Sequence, residues 1–412
     1  MQLHIRTMCL GAFLMAVVLI MSCTTPRVPE QAETLDRVAA VNPDYTDIIL
    51  PPNIAPLNFQ IEETGSDYRV RASSTSGTEI LVRSTKGIIQ FPIKSWQRLL
   101  EANLGESLTI DIFVKQDGVW KEFRSIKNHI ARETIDPVLV YRLINPAFKY
   151  WNQMGIYQRN LESFEEDAVL VNRMTDENCM NCHNFCMNDP SNMVFHMRAG
   201  TASGTYISVD GEFHKVSLKT EFNKGGAYPS WHPNGNLIAF SVNDLTMFYH
   251  STGESRDVLD RKSDLVVYHI DKNMISASPQ IAALDRMGTF PSWSPDGQHL
   301  YFCSAPPLET FINTEIGDLE YDKIRYDLMR VSYDAQADTW GELETVLSAN
   351  ELGKSVVMPR VSPDGHFVLF CLANYGSFPI YHDHSDLYIL DVEKGDMHRL
   401  NINSNETDSF HS

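Results

Sequence analysis

Five consecutive residues, Cys179-Met180-Asn181-Cys182-His183, carry the most specific chemistry in this chain. Two thiols three residues apart, followed directly by an imidazole, form the attachment pattern of a c-type haem. The thiols add to the two vinyl groups on one porphyrin edge, and the adjacent imidazole then lies under the iron as proximal ligand. With 7 cysteines and 14 histidines among 412 residues, chance placement gives about 0.004 such motifs. A second axial ligand would be His or Met. His196 is the first candidate and Met193 the second, both in Met193-Val194-Phe195-His196-Met197; an open five-coordinate iron is the alternative. Haem also needs a flat apolar slot, for which Tyr141, Trp151, Tyr157 and Phe195 are available.

The same cysteines admit two other readings. Cys179, Cys182 and Cys186 form Cys-x2-Cys-x3-Cys, which His196 or His183 could complete as a Cys3His zinc site. They could instead form one disulfide plus a free thiol. Cys303 and Cys371 occupy equivalent places in two repeats and read as small buried residues, too far apart to pair. His382-Asp383-His384 with Asp386 is a polar cluster that reads as a solvated turn more readily than as a metal loop. The sequence holds no Gly-x-Ser-x-Gly elbow, Gly-rich phosphate loop or His-Glu-x-x-His. It therefore reads as a non-enzyme, an electron carrier at most.

Residues 1–22 look like an export signal: Arg6 precedes an apolar run from Met8 to Met21 that is short for a spanning helix. The run ends Ile20-Met21-Ser22-Cys23, a lipoprotein-type processing site that would make Cys23 the lipidated terminus. A polar tether, 23–44, would follow. The expectation is a cell-envelope protein facing the periplasm and touching the membrane only through its lipid. Hydrophobic residues at 43% and charged residues at 21% are ordinary for a globular chain. A net charge of −19 argues against nucleic acid as a partner.

The elements that must position the motif are mainly β. Over 45–135, short alternating segments such as Thr109-Ile110-Asp111-Ile112-Phe113-Val114 are separated by turn residues and predict a β-sandwich-like domain. Lys94–Leu104 has helical spacing. Residues 136–202 are expected to be a helical and loop segment that binds the haem. From 203 to 412 a repeat emerges: Tyr228-Pro229-Ser230-Trp231-His232-Pro233-Asn234-Gly235, Phe290-Pro291-Ser292-Trp293-Ser294-Pro295-Asp296-Gly297 and Met358-Pro359-Arg360-Val361-Ser362-Pro363-Asp364-Gly365. Each is a strand, a Pro-Asp/Asn-Gly turn and a second strand. The prolines 229, 291 and 359 are 62 and 68 residues apart, longer than a minimal blade, so loops are expected at 244–262 and 306–325.

These turns resemble the TolB-type β-propeller repeat, with its Trp-Ser-Pro-Asp-Gly signature. The combination of signal, β-domain, Cys-x-x-Cys-His segment and repeats resembles a group of bacterial TolB-like propeller lipoproteins, some described as cytochrome c-type. That resemblance implies an envelope location, a haem, and a propeller face that docks a protein partner. The end of the chain, Asp408-Ser409-Phe410-His411-Ser412, aligns with Gly288-Thr289-Phe290-Pro291-Ser292, so a shortened or irregular ring is expected.

Overall fold

The computed structural model describes residues 27–143, 154–175, 177, 179–198, 202–219, 225–251, 256–313, 318–382 and 384–409. The expected export signal and Cys23 lie outside the described residues. No helix among those described is long and apolar enough to cross a membrane. The chain divides into two units, one formed by 1–139 with 158–167 and the other by 140–157 with 168–412.

In the first unit, Ser107–Gln116 is the spine of a seven-stranded sheet. Along one side it pairs with Asp67–Ser73, which pairs in turn with Ile80–Ser84. Along the other side it pairs with Ile126–Ile130 and Val119–Phe123. Every second residue of Asp67–Ser73 is buried, as period-two alternation requires. A three-stranded sheet (Val41–Asn42, Phe59–Ile61, Ile88–Ile89) and the helix Ile93–Glu101 share one core with it. The helix buries Trp96, Leu99 and Leu100, the face its spacing predicts. This is a helix-covered mixed sheet, and it does not establish the two facing sheets of a sandwich.

The tether must be shortened. Glu33–Leu35 pairs in parallel with Lys121–Phe123, and Val41 pairs with Ile61. Ala39 and Val41 are buried in the first unit's core. Apolar side chains at 35, 38, 39 and 41 have surface to bury, so this stretch joins the domain.

The second unit is mostly β and propeller-like. It contains four antiparallel four-stranded sheets in sequence order. They are Cys179–Cys186 to Glu212–Val216, Ala227–Trp231 to Met274–Ser276, Met287–Trp293 to Thr339–Leu347, and Ser355–Val361 to Met397–Arg399. The three repeat turns close as expected. Gly235, Gly297 and Gly365 have φ of 78°, 70° and 76°, the left-handed region that glycine enters without strain. Their N–H groups donate to His232, Ser294 and Ser362 carbonyls at 3.0, 2.9 and 2.9 Å.

Two expectations fail here. The described residues of 136–202 are not chiefly helix and loop: Cys179–Cys186 and Asp189–Arg198 are paired strands of the first blade. The blades therefore begin before residue 203. The stretch 244–262 is not chiefly a loop either. The second blade's middle strands, Leu237–Tyr249 and Arg256–His269, run on as one long paired arm. At 306–325, by contrast, short 3-10 turns occur at Leu308–Phe311 and Tyr321–Lys323.

Candidate functional site

The Cys-x-x-Cys-His stretch is the innermost strand of a blade, and it obeys the rules of the other three. In each inner strand the pairing register slips at an equivalent place, between Asn181/Asn184, Ala227/Ser230, Thr289/Ser292 and Val357/Arg360, and the first strand slips again between Phe185 and Cys186. Within each equivalent slip one non-glycine residue takes a positive φ: Cys182 at 54°, Tyr228 at 48°, Phe290 at 54° and Met358 at 55°. This is a β-bulge, which re-aims a side chain locally. His183 thus stands where Pro229, Pro291 and Pro359 stand.

The following residue seals the equivalence. Asn184 Oδ1 accepts from the Trp231 N–H of the next blade at 2.9 Å. Ser230 Oγ accepts from Trp293 N–H at 2.9 Å, and Ser292 Oγ from Val361 N–H at 3.2 Å.

The bulge aims Cys182 inward. Its side chain is wholly buried in a cluster with Tyr228, Phe290, Met358, Cys303 and Cys371, where all four inner strands contribute. Cys179 belongs to another cluster, among Met154, Ile156, Met193, Phe195 and Met197. Burial pushes both thiols up, so they stay protonated. Cys186 packs in a third cluster, and its thiol faces the His232 carbonyl at 3.7 Å. All five described cysteines are free.

His183 is the unusual member. Its ring is buried edge-on against Phe185 at 6.0 Å. Burial pushes its pKa down to about 4; a hydrogen bond to the Val140 backbone opposes this, and Arg142 and Arg360 reinforce it. The imidazole is therefore neutral at pH 7. Its Nδ1 is buried without a hydrogen-bond partner, as is Asn181 Oδ1 one turn of the bulge away. A neutral ring held through one nitrogen with the other lone pair open is the state of a metal-ligating histidine.

His196 and Met193 lie on the neighbouring strand, where His196 faces Asn181 and Met193 faces Phe185. Met193 is buried in the cluster of Cys179. His196 Nδ1 is 3.2 Å from Thr205 Oγ1, and burial with Arg198 and Lys219 nearby lowers its pKa to about 4. Of the expected aromatic slot, Phe195 lies beside Cys179, Tyr141 stacks on Tyr157 at 6.4 Å, and Trp151 lies outside the described residues.

The donor set fits an iron ligand at His183. The thiol pair, as folded, does not fit one porphyrin, because Cys179 and Cys182 point into separate packed clusters. Nor are the residues of a Cys3His site gathered: no group of three or more His, Cys, Asp or Glu among the described residues is placed to hold a metal ion.

A second polar centre involves His382, whose sequence cluster gave no sign of its partner. Asp257, on the long arm of the second blade, is fully buried. His250 Nε2 donates to its Oδ2 at 2.6 Å and His382 Nε2 to its Oδ1 at 2.7 Å. Burial acts to raise this carboxyl, and the His382 and His250 bonds hold it below the usual range. His382, expected in a solvated turn, is 4% exposed. Nearby Asp260 accepts from Asn243, Tyr326 and Ser377 at 2.8, 3.0 and 3.3 Å, and its burial pushes its pKa up.

No family model matches this chain, and no curated protein does. Solved structures match this chain at low identity and low TM-score. An oligogalacturonate lyase in complex with manganese is 11% identical, with a TM-score of 0.33, covering 86% of this chain and 97% of that one. A chain of the nidogen/laminin complex is 9% identical, with a TM-score of 0.34, covering 67% and 93%. Hydrazine synthase from Kuenenia stuttgartiensis is 8% identical, with a TM-score of 0.35, covering 69% and 74%.

Proposed function

We propose that this chain is a lipid-anchored envelope protein carrying one covalent c-type haem on its first blade. In this reading Cys179 and Cys182 are the attachment points and His183 is the proximal ligand. Haem, when bound, supplies one-electron chemistry, so the role is electron transfer or redox sensing. A propeller face would dock the partner protein. The observation that carries the reading is His183, a buried neutral imidazole with an unpartnered Nδ1 directly after the paired cysteines.

The reading has a structural requirement. Cys182 must leave the central cluster so that both thiols reach the same edge. The bulge is where the strand can yield, because its pairing is already interrupted between Asn181 and Asn184.

The test is the pyridine haemochrome spectrum of the protein exported alongside haem maturation machinery. A c-type spectrum that survives acid-acetone extraction is expected, with Cys182→Ala keeping at most one thioether. His183→Ala should remove the low-spin signature, and His196→Ala tests the distal position against Met193.

A second reading is a non-enzymatic interaction scaffold. It is favoured by Cys182 filling the same place as Tyr228, Phe290 and Met358. A colourless protein from the same expression would decide for the scaffold.

A further inference from the structure

A cavity of about 940 Å³ opens between the first and second blades. Its first-blade wall includes His196, Arg198, Lys215 and Lys219, and its second-blade wall includes Tyr228 and Asn243. Three of these are cations, and among the described residues lining the cavity none is acidic. In a chain of net charge −19, that is a local reversal of sign. Behind the wall, Asp260 is buried and engaged by Asn243 Nδ2 at 2.8 Å.

The cations stand in the exposed mouth, and the interior is less polar. Arg198, Lys215 and Lys219 are exposed, while Tyr228, Met197 and Leu218 are buried. His196 sits between these zones, tied to Thr205.

Two glycines shape the space. A Cβ on Gly204 would come within 2.7 Å of Lys215 Cε, so the bare backbone lets the lysine stem lie across it. The Lys215 ammonium then rests 5.9 Å from the centre of the Tyr206 ring. A Cβ on Gly226 would come within 2.8 Å of Leu218 Cδ1, so the apolar wall closes only over glycine.

We infer that this inter-blade cavity binds an organic anion: a molecule with an apolar body seated on Tyr228, Met197 and Leu218 and a carboxylate or sulfonate at Arg198, Lys215 and Lys219. The inference does not depend on a haem. A half-apolar pocket with a few convergent polar groups is the usual form of a small-molecule site. The cationic mouth adds attraction that salt weakens.

The experiment uses the full exported chain and 1-anilinonaphthalene-8-sulfonate as probe, with neutral N-phenyl-1-naphthylamine as control. One saturable sulfonate site per chain is expected, weakening as salt rises. The double variant Arg198→Gln/Lys219→Gln should weaken the sulfonate about tenfold and leave the neutral compound unchanged. Lys215→Gln is a second, milder variant, expected to act in the same direction. Wild-type protein with no saturable site, or a double variant that binds the sulfonate as tightly as wild type, would overturn the inference. So would equal losses for the charged and neutral compounds. Inorganic phosphate should fail to displace the sulfonate, because it has no body for the apolar wall; displacement at comparable concentration would also count against an organic ligand.

Discussion

At the scale of single residues, the imidazole of His183 makes the firmest prediction. Its pKa is about 4 in the fold, where burial disfavours the cation, against about 6.5 in an unfolded chain. The unfolded state therefore binds a proton over the window from about 6.5 down to about 4, while the folded state does not. Stability is full above that window and declines as pH falls through it, by about 3 kcal/mol for this group. His196 acts in the same direction over the same range. In protein made without haem, urea midpoints should drop between pH 7.5 and 4.5, and His183→Gln should flatten the slope. Equal slopes for the two proteins would show that His183 is not buried neutral. The motif around it was legible in the sequence because paired cysteines with an adjacent histidine are rare. Its packing was not: a spacing of three says nothing about whether two thiols share a face once a bulge intervenes.

Among elements, the blades with their Pro-Asp/Asn-Gly turns were readable and the first blade was not. The later turns carry Trp or Val, Pro and Gly at fixed offsets. In the first blade those places hold Phe185, Met187 and Asp189, with His183 for the inner proline. Met187 and Asn188 make the turn at φ of 49° and 60°, a tight two-residue connection built without glycine. The only surviving signal was spacing: His183 and Pro229 are 46 residues apart, close to one plain blade. The turns also differ in how much a side chain would cost. At Gly235 a Cβ meets open space, whereas at Gly297 it would lie 2.5 Å from His232 Cε1. Gly235→Ala should lose about 1 kcal/mol from the left-handed backbone alone, and Gly297→Ala clearly more. Matching losses in thermal denaturation would mean that His232 can move aside. Ser230→Ala should cost about 1–3 kcal/mol, because it leaves the Trp293 N–H buried without its acceptor. A loss within error would show that water replaces this bond between blades.

For the molecule as a whole, the long arm of the second blade ties it both to its sequence neighbour, the third, and to the more distant fourth. Its two buried carboxylates reach past the second blade: Asp257 to His382 and Tyr375 of the fourth, Asp260 to Tyr326 of the third and Ser377 of the fourth. No sequence rule could have found this, since the partners are 66 to 125 residues apart and aspartate in a polar stretch reads as solvated. Removing Asp257 would leave the Nε2 donor of His382 unmatched beside an Nδ1 that already has no partner. Asp257→Ala should therefore destabilise by about 3–5 kcal/mol, the range for breaking one side of a buried charged network. It should also raise hydrogen exchange along Leu245–Tyr249, the tip side of the arm. Wild-type stability and exchange in this variant would mean that the arm stands without the anchor. The acid response separates this tie from the histidine effect. A carboxylate held low gives stability that is present above its unfolded pKa near 3.9 and is lost as pH falls through its folded value. Acid titration should thus show two stages: a gradual loss from about 6.5 to 4 set by His183 and His196, then a steeper one below about 3.9 as Asp257 takes a proton. Asp257→Asn should remove the second stage and keep the first. A variant that loses both stages together would show that the arm and the first blade unfold as one unit.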